Sequence, residues 1–163
     1  MLSYLCLRAG KKFTQRELAE ILDVSPTAIG KSLNKLEKYI IVEKTRTSNF
    51  ISLNTSFREV ILYKRNQNLG WLFRSGLFTF LETELAGSTI ILFGSFSTGE
   101  DIYTSDIDIA VIGRKPKELE LEKYERILHH KININYYESW SMIHKHLKNN
   151  ILNGIVLSGG VEL

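Results

Sequence analysis

Phe93-Gly94-Ser95-Phe96-Ser97-Thr98-Gly99-Glu100, and after four residues Ser105-Asp106-Ile107-Asp108-Ile109-Ala110-Val111, is the stretch on which the reading of this chain turns. Apolar residues from Ser88 to Phe93 predict a short buried strand that stops at Gly94-Ser95. A strand that ends in Gly-Ser and turns into a short helix brings backbone close to an anion. Gly94 has no side chain to block a phosphate, Ser95 offers a hydroxyl, and the N–H groups that follow point outward. Ser97, Thr98 and Gly99 keep the turn small and polar. A second strand is predicted over Asp106–Ile112. Side chains two apart in a strand share a face, so Asp106 and Asp108 stand together while Ile107 and Ile109 face a helix. Two adjacent carboxylates repel unless a cation lies between them. Mg²⁺ takes carboxylate and polyphosphate oxygens and keeps its remaining waters.

Outward from this stretch, the C-terminal part alternates helix and strand. A helix rich in Trp71, Phe73, Phe78 and Phe80 is expected over Leu69–Leu85, spaced to pack on a sheet or on another subunit. A charged helix is expected over Lys117–His129, a strand over Lys131–Tyr137, a helix over Ser139–Asn149 and a closing strand at Ile155–Leu157. The four histidines, His129, His130, His144 and His146, have no zinc spacing and read as helix-end and surface residues. Tyr136-Tyr137 offers one ring for a base and one for packing.

The N-terminal part has a different grammar. A short helix over Leu2–Arg8 is followed by Thr14-Gln15-Arg16-Glu17, which has the form of a capping box opening a helix to Leu22. Ser25-Pro26 supplies an N-cap and a first-turn proline for a second helix, expected over Pro26–Tyr39. Strands at Ile41-Val42 and Phe50–Leu53, separated by the polar Thr45–Asn49, complete a hairpin. A joining helix is expected over Ser56–Gln67.

Charge divides along the same line. Residues 1–65 carry 12 Lys+Arg and 6 Asp+Glu, a net of +6, and residues 66–163 carry 9 and 12, a net of −3. Two modules with different partners follow, divided at 65/66. The single Cys6 can form no internal disulfide, the apolar residues of Met1–Leu7 are too few for a signal-peptide core, and no run is long enough to span a membrane. The expected setting is the cytoplasm, with no membrane partner.

Residues 1–55 resemble a winged helix-turn-helix domain, whose second helix enters the DNA major groove. The residues this places toward duplex DNA are Thr27, Lys31, Asn34, Lys35 and Lys38 from the helix, with Lys44 and Arg46 from the wing, where Asn49 also lies. Protein docking is the other use of such a face. Residues 70–160 resemble the DNA polymerase beta-type nucleotidyltransferase superfamily, in particular its minimal archaeal and bacterial members. The resemblance rests on Gly94-Ser95, a glycine a few residues on, and Ser105-Asp106-Ile107-Asp108-Ile109. It implies an α+β chain, a winged helix-turn-helix followed by a small mixed-sheet domain. It also implies Mg²⁺-dependent transfer of NMP from a nucleoside triphosphate, ATP in the first instance, to a hydroxyl. Gly94, Ser95 and Ser105 are then the nucleotide-binding residues, and Asp106 and Asp108 the metal ligands and catalytic carboxylates.

Two positions depart from that family's pattern. The third carboxylate is expected on the strand Lys131-Ile132-Asn133-Ile134-Asn135-Tyr136, where Asn133, or in the other register Asn135, stands in its place. Thr98 occupies a position where many minimal members carry arginine; Arg114 and Lys115, just past the aspartate strand, are the candidates to take over its work on phosphate, with helix-start electrostatics or ordinary solvation an equal account of them. The same resemblance links such proteins to toxin–antitoxin modules with a small helical partner, and a homodimer is a further expectation. Both departures raise a rival: a weak or inactive transferase fold that binds nucleotide and DNA as a regulator or antitoxin.

Overall fold

The computed structural model describes residues 1–161. The chain divides into two compact units, Met1–Lys64 and Arg65–Leu163, and the division falls inside one helix.

In the first unit the order is helix α1 (Leu2–Leu7), strand β1 (Phe13–Thr14), helices α2 (Gln15–Ile21) and α3 (Pro26–Lys35), then strands β2 (Ile40–Lys44) and β3 (Asn49–Leu53). The capping box forms: Thr14 Oγ1 accepts the Glu17 N–H at 3.2 Å and Glu17 Oε2 accepts the Thr14 N–H at 2.6 Å. The Thr14 N–H first, and then the Thr14 hydroxyl, which donates to Glu17 Oε2 at 2.9 Å, hold the Glu17 carboxyl below its usual pKa. Ser25 caps α3 through the Ala28 N–H, with Pro26 opening the helix. β3 lies between β1 and β2, antiparallel to both. Leu5, Leu18, Ile29, Ile40 and Ile51 are buried. Two expectations shift here. The helix over Pro26–Tyr39 stops at Lys35, with Leu36 as its C-cap, so Lys38 lies beyond it. Phe13–Thr14, of which only Thr14 has a predicted role, in the capping box, pairs with β3 as a third strand.

α4 (Arg58–Arg74) is one continuous helix where the sequence predicted a break between Gln67 and Leu69. The break falls at Gly76, whose φ of +79° is left-handed, and α5 (Leu77–Glu84) follows. Glycine takes that conformation without the steric cost that other residues meet. The second unit continues with β4 (Thr89–Phe93), α6 (Gly94–Thr98), β5 (Ile107–Ile112), α7 (Glu122–Leu128), β6 (Ile132–Tyr137), α8 (Lys145–Leu152) and β7 (Ile155–Ser158). The sheet is mixed, ordered β6-β5-β4-β7, with β5 and β6 parallel and the other pairs antiparallel. The parallel pair needs a crossover, which α7 provides.

Alternation along the strands gives the sheet two apolar faces. Ile90, Leu92, Ile107, Ile109 and Val111 pack with Leu72, Leu77, Leu81, Phe96, Tyr124 and Leu128 on one side. Ile91, Phe93, Ala110 and Ile112 pack with Ile143 and Ile151 on the other. Two predicted helices are shorter than the sequence pattern implied. The charged one begins at Glu122, and Lys117, outside it, reaches both the carbonyl and the carboxylate of Glu84. The one over Ser139–Asn149 splits into a 3₁₀ turn at Trp140–Met142 and α8, with Ile143 extended and buried between them. Among the described residues, no helix is long and apolar enough to cross a membrane.

Candidate functional site

β4 and β5 run antiparallel with Phe93 opposite Asp108, and β5 and β6 run parallel with Asp108 opposite Asn133. Three consecutive strands therefore bring Gly94, Asp108 and Asn133 to one end of the sheet. Asp106 lies one residue ahead of β5, at the point where the Ile107 N–H joins the Lys131 carbonyl at 2.8 Å.

Gly94 has φ +73°, and a Cβ built on it would stand 2.7 Å from Asp108 Oδ2. Any side chain here would meet the carboxylate, so the position requires glycine on two counts. Gly94 opens α6, whose N-cap is Phe93, and no side chain caps the helix. Ser95 sits in the first turn rather than at the cap, so its hydroxyl is not committed to capping. The turn is braced from within: Ser97 Oγ donates to the Gly94 carbonyl at 2.7 Å, and Thr98 Oγ1 lies 3.0 Å from both the Ser95 carbonyl and Glu100 Oε2.

Asn133 Nδ2 donates to Asp106 Oδ2 at 3.1 Å and to Asp108 Oδ1 at 3.3 Å. One amide thus bridges the two carboxylates, which shows that they share a face. The register also separates the two asparagines left open by the sequence: Asn133 faces Asp108, whereas Asn135 lies beside Ala110. Among the described residues, no group of three or more His, Cys, Asp or Glu side chains is placed to hold a metal ion. The donor set for a hard cation is therefore two carboxylates plus, after rotation of its amide, the neutral Oδ1 of Asn133. That set fits one Mg²⁺ completed by polyphosphate oxygens and water. It is short of charge for two.

Ser105 Oγ accepts the Ile102 N–H at 2.9 Å and closes a turn ahead of Asp106, keeping its own proton to donate. The Ser105 carbonyl lies 2.6 Å from His130 Nδ1, which therefore carries a proton. His130 is 6% exposed and stands edge-on to Phe96, with ring centroids 5.5 Å apart. This corrects the surface reading of the histidines: His130 is a buried brace, while His144 and His146 are exposed. One usable hint was present in the sequence, since His130 lies two residues ahead of the strand that carries Asn133.

Other expected neighbours are elsewhere. Arg114 lies past the far end of β5, donating to the Glu84 carbonyl at 3.2 Å, and is not available to replace a cation at Thr98. Tyr136 and Tyr137 are three and four residues beyond Asn133, about 10–13 Å along the strand. Tyr136 packs in the main core and donates to the Lys117 carbonyl, while Tyr137 packs on the opposite face. Burial raises the pKa of both phenols. At the entry to β6, Glu125 accepts from Lys131 Nζ at 2.8 Å and from the Ile132 N–H at 3.0 Å. The Lys131 bond chiefly lowers the Glu125 pKa, and the same bond raises that of Lys131.

In the first unit, Thr27, Lys31, Asn34 and Lys35 are exposed on α3. Lys38 is exposed beyond its end, Lys44 ends β2, and Arg46 lies in the hairpin turn.

A family model described as a nucleotidyltransferase domain matches residues 75–153, the segment that holds the Gly94 turn, both aspartates and Asn133. No curated protein and no solved structure matches the chain. The match supports the DNA polymerase beta-type nucleotidyltransferase superfamily for this segment, and with it the general transfer of a nucleoside monophosphate.

Proposed function

We propose that this protein is a Mg²⁺-dependent nucleotidyltransferase that moves NMP from a nucleoside triphosphate, ATP in the first instance, to a hydroxyl acceptor. The observation that carries the reading is the pairing of Asp106 and Asp108, bridged by one amide, directly beside a left-handed Gly94 whose missing side chain lets the turn lie against Asp108. Gly94 and Ser95 receive the phosphates through backbone and hydroxyl, with the Ser105 hydroxyl as a further donor. Asp106 and Asp108 hold the cation, which supplies charge neutralisation at the triphosphate and leaving group. In the transfer the acceptor oxygen bonds to the α-phosphorus, the bond to the β-phosphate bridging oxygen breaks, and pyrophosphate leaves. Asn133 has no carboxylate to take the acceptor's proton, so that proton passes to solvent and the step is slow.

The order helix–strand–helix–helix–hairpin in Met1–Lys64, with the basic residues exposed on α3 and the hairpin, supports a winged helix-turn-helix that binds duplex DNA. The acceptor is a small helical protein partner of a toxin–antitoxin pair in the first instance; RNA and small molecules are the other acceptors to test.

One observation favours a second reading. Asn133 supplies an amide where a third acid would complete a two-ion centre, so the fold would bind nucleotide as a regulator without turning it over. Incubation of the protein and a co-expressed partner with labelled ATP and Mg²⁺ separates the two. Label transferred to an acceptor supports the enzyme; nucleotide bound with no label transferred supports the regulator.

A further inference from the structure

Asn68 lies within α4 with none of its surface exposed. Asparagine is a poor helix former, and a buried amide is costly unless its donors and acceptor find partners. Its Nδ2 does, and with both protons. It donates at 2.9 Å to the Phe96 carbonyl and at 2.6 Å to Asp101 Oδ1, on a carboxylate only 3% exposed. Its Oδ1 makes no hydrogen bond, so the amide is retained for what it donates.

The Phe96 carbonyl is one of the last four of α6, which have no acceptor role within their own helix. The Ser95 carbonyl, one residue earlier, already takes the Gly99 and Glu100 N–H groups. Asn68 satisfies the next carbonyl from outside. On its other side Phe96 meets the His130 ring, and His130 holds the Ser105 carbonyl. A buried string, Asp101–Asn68–Phe96–His130–Ser105, thus runs behind the site from the Gly94-Ser95 turn to the residue before Asp106.

We propose that Asn68 is a positioning residue for the polyphosphate, acting through the Phe96 carbonyl; this rests on the nucleotide-binding reading above. A helix as short as α6 has little stability of its own, so its orientation is set by what holds it. Asp108 is fixed separately, by the β5 ladder, and the Asn133 amide ties Asp106 to it. Removing the Asn68 donors loosens the turn and spares the carboxylate pair.

The test is Asn68→Leu, which keeps the volume and loses both donors, in the full chain. Inorganic triphosphate with Mg²⁺ is titrated calorimetrically, and Mn²⁺ alone is followed by paramagnetic broadening of the Asp106 and Asp108 amide signals. The expected result is triphosphate binding weakened about tenfold with Mn²⁺ broadening changed by less than about twofold, the scale of a lost hydrogen-bond pair. If the unmodified protein binds no triphosphate, the nucleotide-binding reading falls and takes the proposal with it. If it binds and Asn68→Leu binds equally well, the positioning role alone is overturned. Equal losses of triphosphate and Mn²⁺ also overturn it, because Asn68 then supports the unit as a whole. If Asn68→Leu does not fold, the side-chain amide signals of Asn68 in the unmodified protein decide: a shift on adding triphosphate supports the role, and unmoved signals overturn it.

Discussion

Asn133 stands directly across the β5–β6 ladder from Asp108, and its side-chain amide donates to that carboxylate at 3.3 Å. Its second contact, to Asp106 at 3.1 Å, makes Asn133 a neutral stand-in for the cation that two neighbouring carboxylates otherwise demand. A third acid here would add to the repulsion in the metal-free protein and gain a ligand in the metal-bound one. Asparagine reverses both effects.

Asn133→Asp is therefore expected to lower the thermal stability of the metal-free protein, by about 1–2 kcal/mol for like charges at this spacing in a solvated site. Mg²⁺ should restore it. Label transfer from ATP should rise by about tenfold or more as the second ion site and a base are completed. Thermal unfolding with and without Mg²⁺, together with transfer rates, checks both halves. Unchanged transfer in Asn133→Asp alongside abolished transfer in Asp108→Asn would show that Asn133 does not occupy the third position.

Gly94→Ala tests the close approach on the opposite side of Asp108. A Cβ would stand 2.7 Å from Oδ2, and φ is +73°. The left-handed backbone costs a non-glycine residue about 1–2 kcal/mol, before Asp108 is pushed aside. The expected outcome is a folded protein with a lowered Tm and Mg²⁺-triphosphate binding reduced by at least about tenfold, since 1.4 kcal/mol is tenfold. Wild-type binding measured by calorimetry would mean that the turn does not receive phosphate.

How much of this was legible follows from the range of the forces involved. The capping box at Thr14, the N-cap at Ser25 and the alternation along β4 and β5 are local, and the sequence displays them directly. Asp106 and Asp108 share a face because the strand period is two, and that too is local. The break expected between Gln67 and Leu69 lies instead at Gly76, and Asn68 stays inside the helix with its amide bonded to Phe96 and Asp101, some 30 residues away. His130 was misread for the same reason: its partners, Ser105 and Phe96, come from other segments. The choice between Asn133 and Asn135 needed the β5–β6 register, which one strand's periodicity does not contain.

That register begins at Glu125. Its carboxylate accepts from the Ile132 N–H and from Lys131, and these bonds hold its pKa below the ordinary 4.5, while that of Lys131 is held above 10.5. A lowered acid pKa gives stability that is complete above the unfolded value and is lost as pH falls through the folded one; a raised lysine pKa gives stability lost as pH rises through its folded value. The advantage of the native chain over Glu125→Gln is thus expected to be flat between the two ordinary values and to vanish in acid. Tm at neutral pH should drop by about 1–3 °C, less in high salt because Lys131 is exposed. A Tm difference that persists below the lowered Glu125 pKa would rule out the carboxylate charge as its source.

The first unit is tested by its cations. Lys31 and Lys35 are exposed on α3 one turn apart, and Arg46 lies in the hairpin turn. On duplex DNA such residues neutralise phosphates and release counterions, so each contact contributes to the salt dependence of binding as well as to affinity. Lys31→Ala, Lys35→Ala and Arg46→Ala combined are expected to weaken binding by on the order of a hundredfold at low salt. The slope of log affinity against log salt should fall by about 2–3, near 0.9 per lost contact. Fluorescence anisotropy with a labelled duplex across a salt series measures both. Asn34 sits among these residues, and Asn34→Ala should instead reduce discrimination between sequences while leaving the salt slope unchanged, because an amide reads base edges and carries no charge. No binding by the unmodified protein at low salt would remove DNA as the partner of this face and leave protein docking as its use.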